Sequence, residues 1–140
     1  MNPTTPPSYG TTNLPPDQKE KAKIKRYASV IELSPEKEST YRQLHAAVWP
    51  SVLKQIATSH ISNYSIYLAP LSGKLYLFSY FEYSGEDFAG DMKKMASDPE
   101  TVLWWKECIP CQIPLSNRAQ GEHWMNLEEL FHFNGQQNSP

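Results

Sequence analysis

Apolar and polar positions change period several times along the chain. RYASVIEL (residues 26–33) alternates, with Tyr27, Ser29, Ile31 and Leu33 on one face and Ala28, Val30 and Glu32 on the other, which predicts a short strand. The spacing then turns helical. Ser34 before Pro35 is a candidate N-cap, with Pro35 at the first helical position and acids in the first turn, so a helix should run to about residue 47. Leu44, Val48 and Val52 continue an apolar stripe at helical spacing beside Tyr41, His45 and Trp49. Pro50 disfavours α conformation at Trp49, so this helix should stop near Ala46 or Ala47 and a second one should start near Pro50. SNYSIYLAP (62–70) and KLYLFSYFEY (74–83) read as strands joined by an LSG turn into a hairpin. SGEDFAGDMKKMASDPETVLWWKE is helical with a restart at Asp98-Pro99, and MNLEELFHF (125–133) closes the pattern as a last strand.

The resulting order, β–α–β–β–α–β, predicts an α+β, ferredoxin-like fold: an antiparallel sheet with its helices on one face. The strands are apolar on both sides, since Tyr76, Phe78 and Tyr80 alternate with Leu75, Leu77 and Phe81. The helix-free face therefore needs a cover. A second copy packed sheet to sheet would supply one, so a homodimer, a dimeric α+β barrel, is expected. The folded unit should span residues 24–134, after a Pro- and Thr-rich segment (1–22) with little to bury and before a frayed tail (135–140).

With 140 residues the chain holds one ordinary domain. Its net charge of −2, from 13 basic and 15 acidic residues, argues against a nucleic-acid binder with a broad basic face. No apolar run reaches transmembrane length, and the first residues lack the charged start and apolar centre of a secretory signal, so a cytoplasmic, membrane-free protein is expected. Cys108 and Cys111, in ECIPC, have the spacing of a redox motif or half a zinc site. There is no second cysteine pair, and the first thiol falls at a helix end, where the dipole disfavours thiolate. Two ordinary reduced thiols and no metal are expected. No Gly-rich phosphate loop or dinucleotide fingerprint occurs.

The candidate chemistry lies in YRQLHAAVWP (41–50). Tyr41, His45 and Trp49 are four apart and share one side of the first helix. The break at Trp49-Pro50 leaves His45 in the last turn, where the negative end of the helix dipole should favour imidazolium and suit it to donate a proton. Trp104 and Trp105 are adjacent on the last helix, pointing about 100° apart, so one can line a pocket while the other packs. Indole faces, a phenol and an imidazole suit a monosaccharide, whose C–H faces stack on aromatic rings while its hydroxyls find hydrogen bonds.

These residues resemble the L-rhamnose mutarotase family over about 25–133. The resemblance rests on YRQLHAAVWP for the family's Y-x-x-x-H-x-x-x-W-P, NYSIYL for N-Y-x-I-Y-L, WWK after a short helix, and the closing LEELFHF. It implies a small cytoplasmic dimer that interconverts the α and β anomers of L-rhamnose without metal or cofactor. It also implies that His45 is the proton donor and that Tyr41, Tyr64, Trp104 and Trp105 contact the sugar. The chain departs from shorter members in its N-terminal extension and in PLSNRAQGEHWM, a candidate cover for the pocket whose Glu122, His123 and Trp124 are candidates for altering which sugar fits.

Mutarotation needs a proton removed from the anomeric hydroxyl and one delivered to the ring oxygen. Positioned acid–base groups contribute about 10²–10⁴-fold to such a step. His45 is expected to act as the acid in opening and, once deprotonated, as the base in closure, with Tyr41, a water, or a strand carboxylate such as Glu82 or Glu129 as partner. Two other classes fit the same layout: a non-catalytic sugar-binding module, and an oxygen-using enzyme on a dimeric α+β barrel.

Overall fold

The computed structural model describes residues 24–135. The Pro-rich segment 1–22 and the tail beyond Gly135 lie outside the described residues. The chain is mixed α+β. β1 (Lys25–Leu33) leads through a 3₁₀ turn (Pro35–Lys37) into α1 (Glu38–Ala46) and α2 (Pro50–Thr58). β2 (Ile61–Leu71) and β3 (Lys74–Tyr83) follow, then α3 (Phe88–Ser97), α4 (Pro99–Cys108) and two short strands, β4 (Gln112–Ile113) and β5 (Met125–Asn126). The sheet order is β2-β3-β1-β4, with β5 also on β1. Every pairing is antiparallel.

Prolines divide both helical regions where the sequence predicts. Trp49 is extended (φ −61°, ψ 134°) and Pro50 opens α2, so α1 stops at Ala46. Asp98 caps α4 by accepting from the Thr101 amide at 2.9 Å. The start of α1 differs from expectation. Ser34 precedes only the 3₁₀ turn and makes no side-chain cap.

Ser72 (φ 52°) and Gly73 (φ 80°) join β2 to β3. Positive φ at both positions is what a tight hairpin turn with matching twist requires. Across the sheet, Ile31 pairs with Leu77 and Leu33 with Leu75, placing these apolar side chains on one face. The helices pack there. Ile31, Leu33 and Leu77 share a buried cluster with Tyr41, Val52, Trp104, Cys108 and Cys111. A second cluster of Ile61, Tyr83 and Met95 fills the far end of the same face. The opposite face carries Phe78, Tyr80 and Tyr67, the last 63% exposed.

The closing strand is the main correction to the fold expectation. Instead of one strand over 125–133, two fragments pair with β1. Ile113 lies opposite Glu32 and Met125 opposite Val30, so residues 114–124 loop out across from Ile31 alone. Beyond Asn126 the Leu127 amide still donates to Ala28 O at 2.8 Å, but residues 127–134 are not part of a strand. Leu130, at 73% exposure, and Phe133 stand outward. Alternation in sequence says which residues share a face; it does not supply the neighbouring edge or the surface that would bury them.

Candidate active site

A cavity of about 350 Å³ opens between the sheet and the helices, within the usual ~300–1,000 Å³ of small-molecule pockets. All five residues singled out from the sequence line it: Tyr41 and His45 from α1, Tyr64 from β2, Trp104 and Trp105 from α4. Trp49 stands behind them, edge-on to Trp104 at 5.2 Å.

Each arrives by a local device. Because α1 ends at Ala46, His45 occupies its last turn. Its ring stacks on Tyr41 with centroids 4.2 Å apart and meets the edge of Trp104 at 5.3 Å. Tyr64 reaches the cavity through a β-bulge. Ser62 pairs with Glu82 but Ser65 pairs with Tyr80, so β2 carries an extra residue between them. Asn63 takes it up at φ 48°, a left-handed conformation that asparagine tolerates. With unbroken pairing Tyr64 would lie opposite Tyr80 on the helix-free face. The bulge turns it inward, where its ring lies 5.5 Å from Phe81.

His45 Nδ1 lies 2.9 Å from the Tyr41 carbonyl oxygen. A carbonyl only accepts, so Nδ1 carries a hydrogen and the neutral ring keeps its lone pair on Nε2. Burial lowers the His45 pKa below its ordinary value, opposed by that same hydrogen bond. Burial thus pulls against the imidazolium expected from the helix end, and a neutral imidazole is favoured. Tyr41 is only 5% exposed. Burial drives its phenol well above the ordinary range, so it is a neutral donor. Burial also raises the phenol of Tyr64.

Residues beyond those five complete the wall. Gln112, first residue of β4, donates from Nε2 to the Tyr41 hydroxyl at 3.1 Å. His123 and Trp124 reach in from the looped-out segment. His123 Nε2 donates to Gln112 Oε1 at 2.8 Å. Glu122, grouped with them in the sequence reading, stays outside and accepts from the Ala119 amide at 3.0 Å. Cys108 also lines the cavity, its thiol pushed by burial to about 12 and hence protonated. None of the lining residues is a carboxylate. Glu82 is held by Asn63 and Tyr80, and Glu129 by Arg26, away from the cavity.

Comparison with known proteins gives one family. The family model described as L-rhamnose mutarotase matches residues 26–133. The L-rhamnose mutarotase of Phocaeicola vulgatus is 32% identical over 109 residues, covering 78% of this chain and 98% of that protein. The Bacillus subtilis protein of the same name is 28% identical over the same shares. A crystal structure of an L-rhamnose mutarotase from Formosa agariphila shares the fold, with a TM-score of 0.58 at 20% identity, covering 78% of this chain and 98% of that one.

Proposed function

Because the chain belongs to the L-rhamnose mutarotase family, we propose that it is an isomerase interconverting the α and β anomers of L-rhamnose through the cavity bounded by Tyr41, His45, Tyr64, Trp104 and Trp105. The observation that carries the residue roles is convergence. Positions far apart in the chain, on a helix, a bulged strand and a second helix, meet around one monosaccharide-sized space.

His45 is the acid–base residue, and its protonation state sets the order of events. A neutral ring with its lone pair on Nε2 takes the proton from the anomeric hydroxyl. The electron pair left on that oxygen forms the aldehyde carbonyl, and the bond from the anomeric carbon to the ring oxygen breaks with its pair going to the ring oxygen. Tyr41 donates its hydroxyl proton there. The imidazolium and phenolate so formed are stacked neighbours that stabilise each other by charge. The aldehyde turns, and closure reverses both transfers on its other face. Glu82 and Glu129 drop out as partners because their carboxylates are engaged elsewhere. Trp104, Trp105 and Tyr64 hold the sugar by its C–H faces and exclude water.

The strand order and the antiparallel pairings support the ferredoxin-like description. The exposed aromatic face around Tyr67, together with Leu130 and Phe133, supports a homodimer that buries this surface. Exchange spectroscopy on the anomeric protons of L-rhamnose tests the activity. Protein should raise the interconversion rate in proportion to its concentration. A bound sugar with unaccelerated exchange would instead make this a binding module.

A further inference from the structure

The geometry points to Gln112 and His123 as positioning residues that hold Tyr41 as a hydrogen donor towards the cavity; this deepens, and rests on, the mutarotase reading above.

A glutamine side chain has a donor end and an acceptor end. Gln112 spans the gap between Tyr41 and His123, with Nε2 3.1 Å from the Tyr41 hydroxyl and Oε1 2.8 Å from His123 Nε2. A hydrogen on His123 Nε2 requires an acceptor, which commits Oε1 to His123 and turns Nε2 towards Tyr41. The Tyr41 oxygen then receives a hydrogen bond, and its own proton has no acceptor among the described residues. The cavity is where that proton can be used. Both anchors of this relay are firm. Gln112 is paired to Leu33 on β1. His123 is presented by a loop that Arg118 ties together, donating from Nε to Glu122 O at 2.7 Å and from a terminal nitrogen to Leu115 O at 2.9 Å. The looped-out segment therefore shapes more than the cavity wall. Through two side chains it sets the orientation of the hydroxyl that delivers the proton to the ring oxygen.

The relay has a polarity, and Gln112→Glu tests it. A carboxylate accepts at both ends, so it would draw the Tyr41 proton away from the sugar while preserving size and contacts. At pH 8 the variant should exchange anomers about tenfold slower, roughly one lost hydrogen bond, with KM little changed. The ratio of variant to wild type is taken after each profile is corrected for its own His45 acid limb, because the new carboxylate favours imidazolium. It should rise as pH falls towards 5, where the introduced carboxyl takes up a proton and again offers a donor. His123→Ala, which frees the amide to turn over, should slow exchange by a smaller factor, about threefold. A Gln112→Glu ratio that stays flat with pH, whether near one or low, would overturn the relay. So would a His123→Ala protein as fast as wild type, and that variant alone decides the matter if Gln112→Glu does not fold. Wild type run alongside separates the two ideas: if it fails to accelerate exchange, the function is wrong and not merely the relay.

Discussion

His45 stacks on Tyr41 near the Leu33 end of β1, and His60 meets Tyr83 edge-on near the Lys25 end, with ring centroids 4.2 Å and 6.4 Å apart. Both tyrosines are buried and both histidines are partly open. The difference lies in the third member. At the second place it is a carboxylate: Asp91 Oδ2 accepts from the Tyr83 hydroxyl at 2.5 Å and faces His60 Nδ1 at 3.1 Å. The Asp87 amide donates to the same Tyr83 oxygen at 3.1 Å. That hydroxyl both donates and accepts within the protein, and its proton is committed to Asp91. Burial and its bond to Asp91 push the Tyr83 phenol to about 12, while the Tyr83 hydrogen bond holds the Asp91 carboxyl below its ordinary value. At the first place the third member is an amide, Gln112, and one proton and one lone pair are left facing a cavity. On the proposed mechanism, a tyrosine and a histidine are a tie when a carboxylate consumes their donors and reagents when it is missing.

The contrast can be broken most forcefully at His45. His45→Ala should slow anomer exchange by about 10²-fold or more while circular dichroism stays unchanged. A purified variant as fast as wild type would place the chemistry elsewhere. Tyr41→Phe comes next, with a loss of about tenfold and a small drop in melting temperature, because the ring stays packed and only the Gln112 bond is lost; an unchanged rate would take its hydroxyl out of the reaction. Asp91→Asn should do the reverse, lowering the melting temperature by several degrees and leaving the rate within about twofold, since breaking a buried hydrogen-bonded carboxylate is a stability effect. A rate loss without a stability loss there would erase the distinction between the two places. Gly85 sharpens the same point. A Cβ added at Gly85 would sit 2.7 Å from Asp91 Oδ2, so Gly85→Ala should destabilise without touching turnover.

The smallest effect is in pH. The folded pKa of His45 lies below 6.5. The reactive neutral form therefore persists through neutrality, and activity should fall only on the acid side, with a midpoint below that value. For stability the sign follows from the same direction. The unfolded chain binds the proton first, so His45 costs stability as pH drops below 6.5. An activity limb centred above 7 would mean that imidazolium is the working form.

Much of this is legible in residue order. Prolines at 50 and 99 divide the helices because the preceding residue is forced extended, a rule that needs no tertiary information. Four-residue spacing places Tyr41 and His45 together for a similar reason. Tyr64 joins them only through the family resemblance, since the bulge at Asn63 that turns it inward is set by pairing with β3 and has no signature in β2 alone. Gln112 and His123 are far apart in periodicity terms; they meet because two strand fragments rejoin the same edge of β1. The lowered pKa of His45 runs against its sequence reading because a dipole can be read from a helix end, whereas desolvation depends on what other elements place around the ring.

The interruption in the fourth strand has an engineering consequence. Hydrogen bonding to β1 stops at Ile113 and resumes at Met125, so residues 114–124 form a cassette with both ends pinned on the same strand. Its length and tip can be exchanged with little penalty to the core, since loop-closure entropy grows slowly with length. Transplanting other cassettes between those two anchors, with His123 kept for its bond to Gln112, is a route to retuning which pyranose the scaffold accepts.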